Sequence, residues 1–262
     1  MTGIMEKAHG VPSLGQVKFP MLGEALRCGW SDMRRAPGYA ILFAGVCVAF
    51  GWGMAGFTWM AGQSYWLIFA VVGFPLVGPF AAVGFYEVSH RLSLGQPLRA
   101  PEILGVIFHQ RRRQLPSVCA IMVMVFLFWF FLAHMIFALF LGLSTMTNIS
   151  TSFDVYLTPN GLSMLAVGTV VGALFAILIY MITVIALPLL LDREVDFVTA
   201  MIASFGVVQA SPGPMLAWAI FIAMITFLAM LPAFFGLFVV LPLLGHASWH
   251  LYRLLREDGN PV

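Results

Sequence analysis

Apolar residues run along this chain in blocks long enough to cross a bilayer, and polar residues are confined to the stretches between them. Near-continuous apolar runs occupy residues 39–60, 65–86, 115–143 and 162–191. A helix needs about 20 apolar residues to span the hydrocarbon core, so each block predicts a membrane helix. The run over 215–251 is too long for one ordinary span. Leu231-Pro232 falls inside it, and a proline there either breaks the helical hydrogen-bond ladder or opens a tight turn. Division at that point gives spans over 215–231 and 233–251, with one long kinked helix as the alternative.

Between the blocks the period changes. Over 19–36, Phe19, Leu22, Leu26 and Trp30 recur at helical spacing opposite Glu24, Arg27 and Arg34. That pattern predicts an amphipathic helix at the membrane surface, with Pro37 opening the first span. A second such helix is expected over 197–209, before the Ser211-Pro-Gly-Pro214 break, and a third over 101–110, before Arg111-Arg112-Arg113. The expected organisation is an N-terminal segment over 1–37, a six-helix membrane domain over 38–253 and a tail over 254–262. Gly168 with Gly172, Gly78 with Ala82, and the stripe Gly45, Ala49, Gly53 offer small residues for close helix contact. Trp59, Tyr65, Trp66, Trp249 and Tyr252 lie near span ends, where an interfacial aromatic belt is expected. Pro75, Pro79 and Pro188 could interrupt helices as transporter sites do, but no tandem repeat accompanies them.

Composition excludes the soluble alternative. Hydrophobic residues make up 61% of the chain and charged residues 9%, against about 25% charged in an ordinary globular domain. A net charge of +2 gives no case for binding nucleic acid. With six spans, every Lys and Arg falls on one side of the membrane; with five, Arg253 and Arg256 cross over. The tendency of basic loops to stay in the cytoplasm therefore favours six helices with both termini cytoplasmic. The basic residues before Pro37, ahead of a long apolar run, read as a first helix that serves as its own targeting signal. Cys28, Cys47 and Cys119 form no CxxC pair and suggest neither a disulfide framework nor a zinc knuckle.

Candidate chemistry is sparse. The spans carry no Lys or Arg, which weakens a proton pump or ion-coupled carrier, since such paths use titratable groups. His134 lies inside the third span and is the candidate for haem ligation, with a structural bond to a backbone or hydroxyl group as the plainer role. Glu87 and His90 are three apart at the end of the second span, and His246 and His250 are four apart at the end of the sixth. Each pair can share a helix face, and neighbouring helices could bring all four onto a transition metal. Interfacial histidines more often bond to backbone, carboxylates or headgroups. Asp192 or Asp196 could cap the following helix, and Arg193 could pair with a neighbour or with Glu87. Arg111, Arg112 and Arg113 would attract anionic lipid headgroups. GxGxxG, Walker A, HExxH and GxSxG motifs are missing, so no nucleophile or base stands out.

Three stretches together carry a resemblance. They are the amphipathic lead into Arg34-Arg35-Ala36-Pro37, the 188–196 stretch with Ser211-Pro-Gly-Pro-Met215 and Trp218, and the terminal Gly-His-x-x-Trp-His-x-Tyr-Arg253. Over about Phe19 to Arg253 the chain resembles a bacterial family of integral membrane proteins of no established function. Some of its members carry a label relating them to cytochrome c oxidase subunit I. The resemblance implies a six-span architecture and a bacterial inner-membrane location, and it brings over no binding or catalytic residue. A haem–copper catalytic subunit needs several intramembrane histidines, and here only His134 is clearly one. The functional expectation is a non-catalytic accessory, scaffold or assembly component of a membrane complex, with a respiratory complex as one candidate. A channel or carrier for a small neutral or weakly polar solute is the alternative, followed by a metal- or haem-binding membrane protein.

Overall fold

The computed structural model describes residues 8–61, 68–142 and 154–256. Residues 62–67, with Tyr65 and Trp66 at the start of the expected second span, residues 143–153, and residues 257–262 of the expected tail lie outside them. The described residues form eleven helices: α1 (Phe19–Arg35), α2 (Pro37–Ala61), α3 (Ile68–Ser93), α4 (Ala100–Gln110), α5 (Leu115–Leu141), α6 (Asp154–Leu157), α7 (Pro159–Thr183), α8 (Ala186–Asp192), α9 (Phe197–Ala210), α10 (Pro212–Met230) and α11 (Leu237–Leu255). Four stretches of helix among them are long and apolar enough to cross a membrane: Pro37–Ala61, Leu115–Leu141, Pro159–Asp192 and Pro212–Met230. The protein is an all-α, multi-pass membrane helix bundle. α3 and α11 are the other two long helices. α11 carries His246, Ser248, His250 and Arg253 and is enclosed by its neighbours, burying among others Leu244, Ala247, Trp249 and Leu251.

Prolines place several boundaries. Pro37, Pro116, Pro159 and Pro212 stand in the first turns of α2, α5, α7 and α10, where a missing N–H costs nothing. The expected fourth span is not continuous. α7 ends at Thr183 and α8 begins at Ala186. Pro188 cannot donate a bond to the carbonyl one turn earlier. Ser204 of α9 fills the break, accepting from Ile185 N at 3.0 Å and donating to Met181 O at 2.7 Å. Pro75 and Pro79, by contrast, lie inside an unbroken α3.

Residues 215–251 fold as two helices. The chain turns over 231–236, with Ala233 and Phe234 at φ of 49° and 68°. At Gly236 a Cβ would stand 2.6 Å from Ala229 Cα, so only glycine allows this tight return. Trp52 of α2 donates from Nε1 to the exposed Ala233 carbonyl at 2.7 Å, closing that end of the hairpin.

The close seams of the bundle run along α11. A Cβ at Gly29 of α1 would lie 2.7 Å from the main-chain nitrogen of Ala247, and one at Gly245 would lie 2.5 Å from the Phe85 ring of α3. α1 presents Ala25, Gly29 and Asp32, at i, i+4 and i+7, as its buried face. Leu22 and Leu26 pack beside it against the core, while Phe19 and Trp30 stay exposed. The expected interfacial helix is therefore also a structural one. Of the glycine motifs expected to mediate contact, Gly172 meets Trp129 and Gly45 meets Phe238, whereas Gly53, Gly78 and Gly168 face open space.

Gly29→Ala is expected to overpack this seam and to destabilise the bundle by about 1–3 kcal/mol, read as a lower unfolding temperature in detergent. Gly23→Ala on the exposed side of the same helix has nothing within 4 Å and is expected to leave the transition unchanged or slightly raised.

Candidate functional site

The ion pairs that join separate segments of the chain gather at one pole of the bundle. α1, α3 and α11 supply the most enclosed polar group. His250 Nε2 donates to Asp32 Oδ2 at 2.7 Å, and Ser89 Oγ stands 2.8 Å from His246 Nδ1. The two pairs stand at the junction of α1, α3 and α11. Asp32, Ser89 and His246 are all buried. His246 Nε2 has no hydrogen-bond partner among the described residues. Burial alone would raise the Asp32 carboxyl; the bond from His250, with the Ser89 hydroxyl nearby, outweighs it and holds the group below its ordinary value.

Three further hubs tie the same pole together. Asp192, at the end of α8, accepts from Tyr252 Oη at 2.6 Å and Arg256 Nη1 at 2.9 Å. Arg91 reaches Glu87 at 2.6 Å and Glu102 of α4 at 2.5 Å. Arg113 pairs with Glu194 at 2.5 Å, and Arg253 donates to Ser93 at 3.1 Å. Residues 8–18 lie over this pole as a strap. Gly10 N bonds to Glu194 O at 3.2 Å, Gly15 N to Leu255 O at 2.8 Å and Val17 N to Ser211 Oγ at 2.9 Å.

The four metal candidates do lie on helices that touch, but each turns to a different neighbour. Glu87 holds Arg91, and His246 and His250 hold Ser89 and Asp32. The His90 ring meets the Trp249 ring edge-on, with centroids 5.4 Å apart. Among the described residues, no three His, Cys, Asp or Glu side chains are grouped to hold a metal ion. His134, the haem candidate, is exposed on α5 and its Nδ1 lies 2.8 Å from its own helix's Phe130 carbonyl. Asp196 caps α9 by accepting from Thr199 N at 2.9 Å, and Arg193 lies 3.5 Å from Asp192. Two members of the expected aromatic belt are not on the surface. Trp249 and Tyr252 are fully buried against α3 and Asp192, because α11 is enclosed at this end.

Sequence reading passed over Asp32, Ser89 and Gly29. The Ala25-x-x-x-Gly29-x-x-Asp32 spacing was the available signal, a small-residue stripe ending in a carboxylate. It was hidden by the stronger apolar period beside it.

Asp32→Ala leaves His250 without its acceptor and is expected to cost about 1–3 kcal/mol at neutral pH. A carboxyl held low in the folded state adds stability above its unfolded value, and that stability is lost as pH falls through the folded value. The difference in unfolding temperature between variant and wild type should therefore shrink as the pH drops below the ordinary carboxyl range.

Residues 67–192 match a family of unknown function described as "Predicted integral membrane protein (DUF2189)". The match covers just under half of the chain and spans α3 through α8, with the whole of α1 and α11 outside it. It is narrower than the resemblance read from the residues, whose terminal Gly-His-x-x-Trp-His stretch it does not include. No curated protein and no solved structure matches the chain.

Proposed function

We propose that this protein is a non-catalytic accessory or scaffold component of a membrane complex, with six spans and both termini on the cytoplasmic face of a bacterial inner membrane. The observation that carries the reading is where the polar groups go. His250 bonds to Asp32 and Ser89 to His246, tying α11 to α1 and to α3, and the Asp192, Arg91 and Arg113 hubs likewise join one part of the chain to another. Side chains engaged in this way brace helices; they do not line a path for a solute. The glycine seams beside them are too close to admit one more carbon. Large apolar side chains such as Phe128, Phe131, Leu139, Val170, Leu174, Ile220 and Phe227 stand exposed on α5, α7 and α10, a surface suited to lipid or to apolar helices of a partner.

The same pole supports the proposed orientation. Arg91, Arg113, Arg253 and Arg256 meet there, and basic residues favour the cytoplasmic side. The exposed Arg111 and Arg112 on this pole are placed to attract anionic headgroups.

Two measurements test this. In a variant lacking Cys28, Cys47 and Cys119, Asn160→Cys should react with a membrane-impermeant thiol reagent on intact cells, and Arg34→Cys should react only after lysis; the reverse pattern would overturn the orientation. Tagged protein purified from its native membrane in mild detergent should bring down a reproducible partner in fixed ratio. Solute flux in liposomes, a stoichiometric metal or a haem spectrum would each contradict the accessory reading.

A further inference from the structure

The charged pole holds a cleft of about 400 Å³ whose walls come from three separate segments. His9 of the strap forms one, Arg112, Arg113 and Gln114 at the start of α5 the second, and Glu194 and Asp196 between α8 and α9 the third. Main-chain bonds from Gly10 N to Glu194 O at 3.2 Å and from Glu194 N to Ala8 O at 3.1 Å fix the first wall against the third.

The charges within it are mixed in a particular way. Arg113 and Glu194 neutralise each other at 2.5 Å. Arg112 and His9 make no ion pair among the described residues, and Gln114 forms no side-chain cap on α5. Asp196 accepts the Thr199 amide on Oδ1, and an ionised carboxylate has lone pairs for several donors. A purely anionic ligand would meet two carboxylates here, and a purely cationic one would meet two guanidinium groups. A ligand with a phosphate at one end and a hydrogen-bonding ammonium at the other satisfies both walls. Next to the cleft, α9 exposes Val198 and Ile202, one turn apart and 48% and 67% accessible. They make an apolar track that begins two residues beyond Asp196.

We propose that this cleft holds the headgroup of a zwitterionic aminophospholipid, with its phosphate on Arg112, His9 and Gln114, its ammonium on Asp196 and Glu194, and its acyl chains along Val198 and Ile202. The assignment rests on the reading that the charged pole lies at a membrane surface, and it names a lipid class for that surface.

The test uses full-length protein, stripped of lipid and returned to nanodiscs or mixed micelles, with bound lipid counted by native mass spectrometry. The probes are dioleoyl phosphatidylethanolamine, phosphatidylcholine and phosphatidylglycerol. Phosphatidylcholine keeps the phosphate and the positive charge but has no N–H to donate, and phosphatidylglycerol keeps the phosphate alone. Phosphatidylethanolamine should be retained about tenfold better than either. Arg112→Gln and Asp196→Asn should each remove most of that preference, and Arg34→Gln, on exposed α1 surface, should not. Asparagine still caps a helix, so Asp196→Asn serves if Arg112→Gln fails to fold. Equal retention of the three lipids, or a preference unchanged in both cleft variants, would overturn the proposal. So would displacement of the lipid by free phosphoethanolamine at comparable concentration, which would assign the cleft to a soluble phosphorylated amine. A failed topology would appear in the thiol labelling at position 160 and not in these lipid ratios.

Discussion

α1 and α11 touch through their backbones. At Gly29 a single added carbon would stand 2.7 Å from the Ala247 nitrogen, closer than side-chain packing allows, and the rest of the charged pole is arranged around that approach. It brings Asp32 within reach of His250. On the other side of α11, Gly245 admits the Phe85 ring, which brings Ser89 to His246. Two glycines on two helices thus set the spacing at which a carboxylate meets one imidazole of α11 and a hydroxyl meets the other. A larger residue at either place would part the helices and leave buried polar groups without partners, which costs more than their bonding gains.

The same logic orders the wider molecule. In hydrocarbon an unsatisfied polar group is expensive, and several polar side chains of the long helices bond within their own helix, as His134 does with Phe130 and Thr183 with Ile179, while others gather at the pole. There Asp192, Arg91 and Arg113 join α8 to α11, α3 to α4, and the head of α5 to the α8–α9 connection. The N-terminal strap completes the pole through main-chain bonds to Glu194 and Leu255 and a side-chain bond to Ser211. What results is a braced, charged cap on a bundle whose long helices α5, α7 and α10 expose large apolar side chains, a form suited to holding other components at a membrane.

Helix positions were legible in the sequence because they depend on local rules. Apolar run length, proline in first turns and the 3.6-residue period placed α1, α4, α9 and the break near Pro232 close to where they stand. The faces of α11 were not legible. Trp249 and Tyr252 have the composition of a membrane belt, but their burial depends on α1, α3 and Asp192 closing around them. The split between α7 and α8 depends on Ser204, which lies 19 residues from the Ile185 amide it accepts from. The histidine pairs were placed on the right helices; their partners, Asp32 and Ser89, came from a helix read as a surface element and from a serine that no motif marks. Contacts between segments far apart in the chain leave little trace in local periodicity.

The central claim is that Asp32 and His250 act as one unit joining α1 to α11, and a double-mutant cycle tests it most directly. Unfolding of wild type, Asp32→Ala, His250→Ala and the double variant would be followed in one detergent at neutral pH. A coupling energy of about 1–3 kcal/mol is expected, in the range of directly bonded side chains. A coupling near zero, with the two single effects simply adding, would mean that the pair does not join the helices, and this account of the pole would fail.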